Sequence, residues 1–402
     1  MAANNFYKNI SKLYVIKISK WFNLVMPIVV LFYQENGLGM HEVFQLKAIY
    51  SIAMVAMEIP SGWMADVWGR KKTLLAGSVL GATGFLIYSF AHGFAAFVAA
   101  EIILGIGYSF VSGADAAMLY DSLKAVDKSK DYVKVEGRIT SVGNFAEALA
   151  GVAGGFLAAI SLRMPFYFQV AIAAMAIPAA MFLTEPTLIE KGPIHSISKL
   201  TKNIAKTLLT NHNLRIAILL SSLTGTATLT FAWLVQPFFK AVNLPVEMFG
   251  VFWTALNITV GASSVFAYNI ERAFGKRTTL IFIITMLAAG YIFSGIAVSY
   301  WGIAFLFLFY LVRGIATPVL KNYINLYTQS EVRATMLSVR NFAIRVVFAA
   351  IGPLLGWITD NKGLNVAFIS AGLGYLFSTI IIVFPWLKTH NEKKPGDFRK
   401  IN

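Results

Sequence analysis

The side chains with the most chemistry to offer in this chain of 402 residues are ionisable groups lodged inside apolar stretches. Lys17 and Lys20 lie in the first such stretch, Glu58 in the second, Glu101 and Asp115 in the fourth and Glu147 in the fifth. Arg313, Arg340 and Arg345 lie in the tenth and eleventh. A charge near the centre of a bilayer costs roughly 2.5–3.5 kcal/mol on insertion scales, so each of these asks for a partner or a role. Three kinds of chemistry answer that: ion pairing, proton exchange by a buried carboxyl, and capture of a charged solute. Other chemistries lack their residues. There is no cysteine, the five histidines have no metal-ligand spacing, and no G-x-x-x-x-G-K-[ST] run is present. No metal and no cofactor is expected.

The scaffold that must position these groups is a membrane one. Hydrophobic residues make up 57% of the chain and charged residues 13%, against about 45–50% and about 25% in a soluble domain. That leaves too little polar surface to coat a water-soluble enzyme. A spanning helix needs about 20 mainly apolar residues, and such segments fall near 13–34, 44–65, 73–92, 94–119, 136–160 and 164–184. Six more fall near 214–239, 246–269, 279–298, 300–327, 337–359 and 364–387. The fold class expected is therefore an all-α membrane protein of twelve helices in two six-helix bundles, 1–184 and 214–388. A linker at 185–213 joins them and a tail at 389–402 follows. In the linker Ile197, Leu200, Ile204 and Leu208 recur at helical spacing, with Lys199, Lys202 and Lys206 on another face. This reads as an amphipathic helix, lying on the membrane or solvated. The N-terminus is polar and no removable leader is expected.

The net charge of +15 could point to a nucleic-acid binder until the cations are placed. With the N-terminus inside, 24 of the 34 Lys and Arg fall in inner segments, three (Arg163, Lys240 and Lys362) fall in outer loops, and seven fall within helices. Positive loops stay on the cytoplasmic side. Both termini are thus expected in the cytoplasm, with the lipid bilayer and no nucleic acid as the protein's surroundings.

The two halves echo each other. Gly62, Asp66, Gly69, Arg70 and Lys71 follow the second span, and Gly275, Lys276 and Arg277 follow the eighth, the glycines 206 residues apart. Ser141, Asn144, Phe145 and Ala146 open the fifth span, as Ser338, Asn341, Phe342 and Ala343 open the eleventh. Parallel six-helix repeats of this kind are a secondary-transporter architecture.

On these residues the sequence resembles the major facilitator superfamily over essentially its whole length. The family's loop between helices 2 and 3 reads G-x-x-x-D-R-x-G-R-[RK]; Gly62, Asp66, Gly69, Arg70 and Lys71 match it and Val67 replaces the arginine. Glu58, Pro60, Ser112, Gly113, Asp115, Leu119, Tyr120 and Asp121 resemble a common bacterial branch. Two features depart from drug antiporters: Glu101 stands where many carry an arginine, and Gly151, Gly154 and Gly155 lack the accompanying proline.

The resemblance implies a monomeric transporter working by rocker-switch alternating access, with helices 1, 4, 7 and 10 lining its cavity. It implies a gate in which Asp66 faces the N-terminus of helix 11 near Arg340, and Arg70 reaches Asp121. Gly62 would permit close backbone approach and Gly69 a tight turn, while Lys71 serves the gate or topology alone. Glu58 and Arg345 lie roughly 10–12 Å deep by helical rise and are expected either to pair or to be satisfied within their own halves. Lys17 is expected to pair with Asp115. Lys20 and Asn23 project toward the centre, and Glu101 and Glu147 are candidates for a proton site or for permanent pairs. Gln169, Gln236 and Asn257 contact a solute or bond between helices, and Arg313 lies near mid-depth. Helices 10 and 11 carry Arg313, Lys321, Arg340 and Arg345 and no acid. Proton-coupled export of a small amphipathic organic molecule is the first reading. Uptake of an anionic metabolite coupled to protons or anions is the second, and a membrane sensor or enzyme without transport is the third.

Overall fold

A computed structural model describes residues 2–186, 207–208, 210–328 and 332–389. The linker helix expected around Ile197, Leu200 and Ile204, with its three lysines, and most of the C-terminal tail lie outside the described residues. The described residues of the first half form α1 (Ala2–Trp21), α2 (Val29–Glu35), α3 (Met40–Val67), α4 (Arg70–Phe90), α5 (Gly93–Val111), α6 (Ala114–Lys124), α7 (Tyr132–Ile160), α8 (Met164–Ala174) and α9 (Ala176–Met181). The second half forms α10 (His212–Ala241), α11 (Val246–Ile296), α12 (Ile303–Leu326), α13 (Arg333–Lys362) and α14 (Leu364–Thr389).

Ten of the described helical stretches are long and apolar enough to cross a membrane. One of them, α11, is two helices turned at Gly275, where φ is 75°. The pair α1 and α2 supplies the remaining span. Gly69, between α3 and α4, has φ 96°, so the two glycines paired by the repeat take the same left-handed conformation that a side chain disfavours. Helices five and eleven begin a turn earlier than expected, at Tyr132 and Arg333, because the charged residues before each apolar run continue the helix. The Ser-Val-x-Asn-Phe-Ala echoes therefore lie inside α7 and α13, and Arg340 sits two turns into α13 rather than in its first.

Contacts divide the chain into two units. One holds the chain to Ile194 with Asn243–Ala255 and Gly352–Gly356; the other holds His195–Val242, Leu256–Ile351 and Trp357–Asn402. In the first unit Leu13, Ile16, Leu74, Met118, Leu123, Ile139 and Ala180 form a buried core that draws α1, α4, α6, α7 and α9 together. The start of α11 joins this unit through small residues: a Cβ on Gly250 would stand 2.0 Å from the Gly151 carbonyl oxygen, and Thr254 Oγ1 donates to the Ala148 carbonyl at 3.0 Å. In the second unit Phe231 stacks on Phe309 with ring centroids 3.6 Å apart, and Tyr291 and Phe368 meet Phe231 edge-on.

The first span is not one helix. It breaks at Phe22–Ile28, around Pro27, which has no N–H to give to a helical ladder and disfavours helix in the residue before it. Backbone groups freed inside a membrane must be satisfied internally, and here they are. Asn23 Oδ1 accepts from the Val25 and Met26 amides at 3.2 Å, and Gln169 Oε1, buried on α8, accepts from the Leu24 amide at 2.8 Å. Gly154 on α7 gives the Leu24 carbonyl its room: a Cβ there would come within 2.0 Å of that oxygen.

Replacing Gly154 by alanine should therefore destabilise the protein by about 1–3 kcal/mol, the usual cost of overpacking. Gly137→Ala, on the same helix with open space around it, should leave the melting temperature unchanged or raise it. Thermal unfolding of the two variants in detergent checks the contrast, and equal melting temperatures would contradict it.

Candidate functional site

The junction of α3 and α4 is built around Gly69. The first amides of α4, those of Arg70 and Lys71, donate to the two carboxylate oxygens of Glu185 at 2.9 and 2.7 Å. An anion at a helix N-terminus is favoured by the helix dipole, and any side chain at position 69 would press on it, its Cβ 3.1 Å from the carboxylate. The Arg70 guanidinium pairs with Asp121 and donates to the Ala117 carbonyl at 2.7 Å. The segment leading to Glu185 is fixed by buried Asn9, which donates to the Thr184 carbonyl at 2.8 Å and accepts from its amide at 3.0 Å. Asp66 is exposed and Lys71 half-buried. Gly62 does not serve a close approach: it is exposed, and a Cβ there meets nothing within 4 Å. Tight helix contacts fall instead at Gly77, Gly84, Gly105 and Gly154.

A second cluster lies in the same unit. Lys17 stands between Asp115, at 4.0 Å, and Glu136, at 3.8 Å, all three half-buried. Leu13, Leu119 and Ile139 complete a small pocket around them. The fourth span kinks at Ser112 and Gly113, so Asp115 sits in the first turn of α6, not mid-helix, with its carboxylate accepting from the Ala116 amide at 2.8 Å.

Glu101 forms a closed knot. It is 2% exposed and Lys47 8%; Lys47 Nζ meets Glu101 Oε1 at 2.5 Å. The Tyr33 and Tyr88 hydroxyls donate to the same oxygen at 2.7 and 2.6 Å, and Lys47 donates to the Tyr33 hydroxyl at 2.9 Å. Phe32, Phe97 and Phe166 wall the cluster off. Three donors converging on one oxygen make Glu101 the centre of a packed ion pair drawn from four helices, the arrangement of a structural lock.

The remaining candidates are placed as follows. Lys20 Nζ lies 4.2 Å from the centroid of the Tyr108 ring. Asn23 is not one turn further along the same helix; it lies in the break and caps it, because α1 ends at Trp21. Glu58 is exposed and Glu147 half-buried, both in the first unit. In the second unit Arg340 is 8% exposed; its Nε donates to Ser221 Oγ at 2.6 Å and its Nη1 to Asn341 Oδ1 at 3.0 Å. The Arg313 guanidinium lies 5.2 Å from the Tyr310 ring centroid. Arg345 and Asn257 are half-buried and Gln236 fully buried, all in the second unit. Lys47, Glu136 and Glu185 were not singled out from sequence. The isolated lysine inside the second span was a signal for the first, and the acid directly after the sixth span was one for the last.

The description Major Facilitator Superfamily matches residues 20–239 and 214–402. The chain belongs to this superfamily. It is therefore a multi-pass membrane transporter and not an enzyme. Among curated proteins it is 25% identical to the quinolone resistance protein NorA of Staphylococcus aureus over 153 residues, 38% of each chain. It is 27% identical to multidrug resistance protein 2 of Bacillus subtilis over 180 residues, 44% of each. The matched part thus spans less than half the length of either relative. Among solved structures it is similar to the nucleoside transporter NupG (TM-score 0.75, 15% identity, 97% of this chain and 100% of that one). It is also similar to a D-xylose-proton symporter (TM-score 0.70, 16% identity, 98% of both). At such identities these likenesses show the fold alone.

Removing one partner of a buried ion pair strands the other charge at a cost of about 3–5 kcal/mol, whereas replacing both by apolar groups can be nearly neutral. Lys47→Met and Glu101→Leu should each lower thermal stability sharply, and the double variant should recover much of the loss. Independent, additive losses in melting experiments would contradict the lock.

Proposed function

We propose that this transporter is a proton-coupled exporter of small amphipathic organic molecules, monomeric, in a bacterial inner membrane with both termini cytoplasmic. The observation that carries the coupling is the placement of Lys17 between Asp115 and Glu136. One lysine neutralises one carboxylate; the second acid of the cluster is relieved by a proton, whose arrival or departure changes the pull on Lys17 and hence on α1. Export is supported by the similarity to two proteins named for quinolone and multidrug resistance. The junction of α3 and α4 supplies the gate: Arg70, Asp121 and Glu185 tie α4, α6 and the exit of α9 to one turn, so that releasing any of them frees the turn.

A second reading, uptake of an anionic metabolite, draws on Lys20 and Arg313. Among the described residues neither has a carboxylate within ion-pair distance. The direction of gradient-driven flux separates the two readings.

In proteoliposomes, amphipathic fluorescent solutes should be moved against the direction of an imposed proton gradient, and a protonophore should stop them. Asp115→Asn and Glu136→Gln should abolish gradient-driven flux while leaving solute exchange without a gradient. Flux that ignores the pH gradient would overturn proton coupling.

A further inference from the structure

Lys20 bears on which solutes the transporter takes. Three lysines lie within the apolar spans of the first unit, and two of them have acids: Lys17 has Asp115 and Glu136, and Lys47 has Glu101. Among the described residues no carboxylate lies within ion-pair distance of Lys20. It is half-buried, and its ammonium rests over the ring of Tyr108. A ring face offsets only part of the desolvation of an ammonium. The remainder is met by water or by an anion.

The local fold holds this arrangement open. Because the first span stops at Trp21, Lys20 lies in the last turn of α1, where the helix dipole favours a cation. Lys17 and Trp21, one turn apart, lean toward α7, where Gly143 makes room for the indole. Lys20 points to α5 instead. There Gly105 lets α3 approach so closely that a Cβ would lie 2.8 Å from the Tyr50 carbonyl oxygen. The approach sets Tyr50 edge-on to Tyr108, ring centroids 6.5 Å apart at 67°. Tyr108 remains 38% exposed. A cation with no acid, an accessible aromatic face and a second ring beside it are thus assembled from three helices.

We propose that Lys20, Tyr108 and Tyr50 form a binding site for a carboxylate carried on an aromatic ring, so that the favoured solutes are aromatic acids and their zwitterionic relatives. The carboxylate takes a charge-assisted hydrogen bond from Lys20 Nζ, and the ring packs against the open part of Tyr108. The assignment rests on the export reading for its role in transport, whereas its binding test does not.

The test uses the purified full chain in lipid nanodiscs and calorimetric titration with naphthoate, its neutral amide and naphthylmethyl ammonium. Naphthoate should bind about tenfold tighter than the other two, as a desolvated charge contact allows. Lys20→Met should erase that preference, Lys20→Arg should keep it, and Tyr108→Leu should weaken all three probes. Equal binding of the amide or the cation, absence of saturable naphthoate binding, or a preference that survives Lys20→Met would overturn the site. Retained preference in Lys20→Arg shows that the arginine variant folds and that the charge matters. Charge-selective binding by a chain that moves no solute would support the site while overturning the export reading.

Discussion

An ionised side chain in hydrocarbon must find a partner, and the first unit is organised around the different ways it meets that demand. Lys47 and Glu101 meet it with each other: one carboxylate oxygen receives an ammonium and two phenols, and the rings of Phe32, Phe97 and Phe166 pack against those phenols. Lys17 meets it with one acid too many, so the cluster with Asp115 and Glu136 carries a surplus carboxylate. Lys20 meets it with a ring alone. These three lysines occupy two helices and are all buried or half-buried, yet their surroundings differ: one carboxylate with two phenols, a pair of acids, and an aromatic ring. The difference lies in which neighbouring helix supplies the acid.

The same demand applies to the backbone. Pro27 interrupts the first span within its apolar run, and the freed amides of Leu24, Val25 and Met26 are taken up by Gln169 and Asn23. Gly154 admits the Leu24 carbonyl against α7. The break in turn fixes where α1 ends, and therefore puts Lys20 in a last turn whose dipole suits it. At the other end of the unit the carboxylate of Glu185 closes the N-terminus of α4, linking the exit of the first half to the turn at Gly69. Charge placement and backbone satisfaction are thus one problem, solved by polar side chains both beside the break and on distant spans.

What could be read from the residues follows from the range of the interactions involved. Apolar runs are local, so the spans were legible, as was the correspondence of Gly69 with Gly275, both now seen with positive φ. The proximity of Lys17 to Asp115 was legible because depth in the membrane narrows the choice of partners, and that of Arg70 to Asp121 came with the resemblance of the loop motif. Lys47 as the partner of Glu101 was not, since depth alone does not say which of several helices is adjacent. Glu136 stood at the very start of the fifth apolar run and was passed over, because the helix begins a turn earlier, at Tyr132, and carries it inward toward Lys17. The break in the first span had its signals in Asn23 and Pro27, but a continuous apolar run outweighed them. Gly62 was assigned a close approach from its motif, whereas packing put that role on glycines with no motif.

The central claim is that the surplus carboxylate between Asp115 and Glu136 exchanges protons while Glu101 is locked. Infrared difference spectra of the protein in lipid, recorded between neutral and mildly acidic pH, read carboxyl protonation directly. The account predicts a protonated-carboxyl band that is lost or altered in Asp115→Asn and Glu136→Gln and unchanged in a variant lacking the Lys47 and Glu101 pair. A band that disappears only when Glu101 is removed would contradict it.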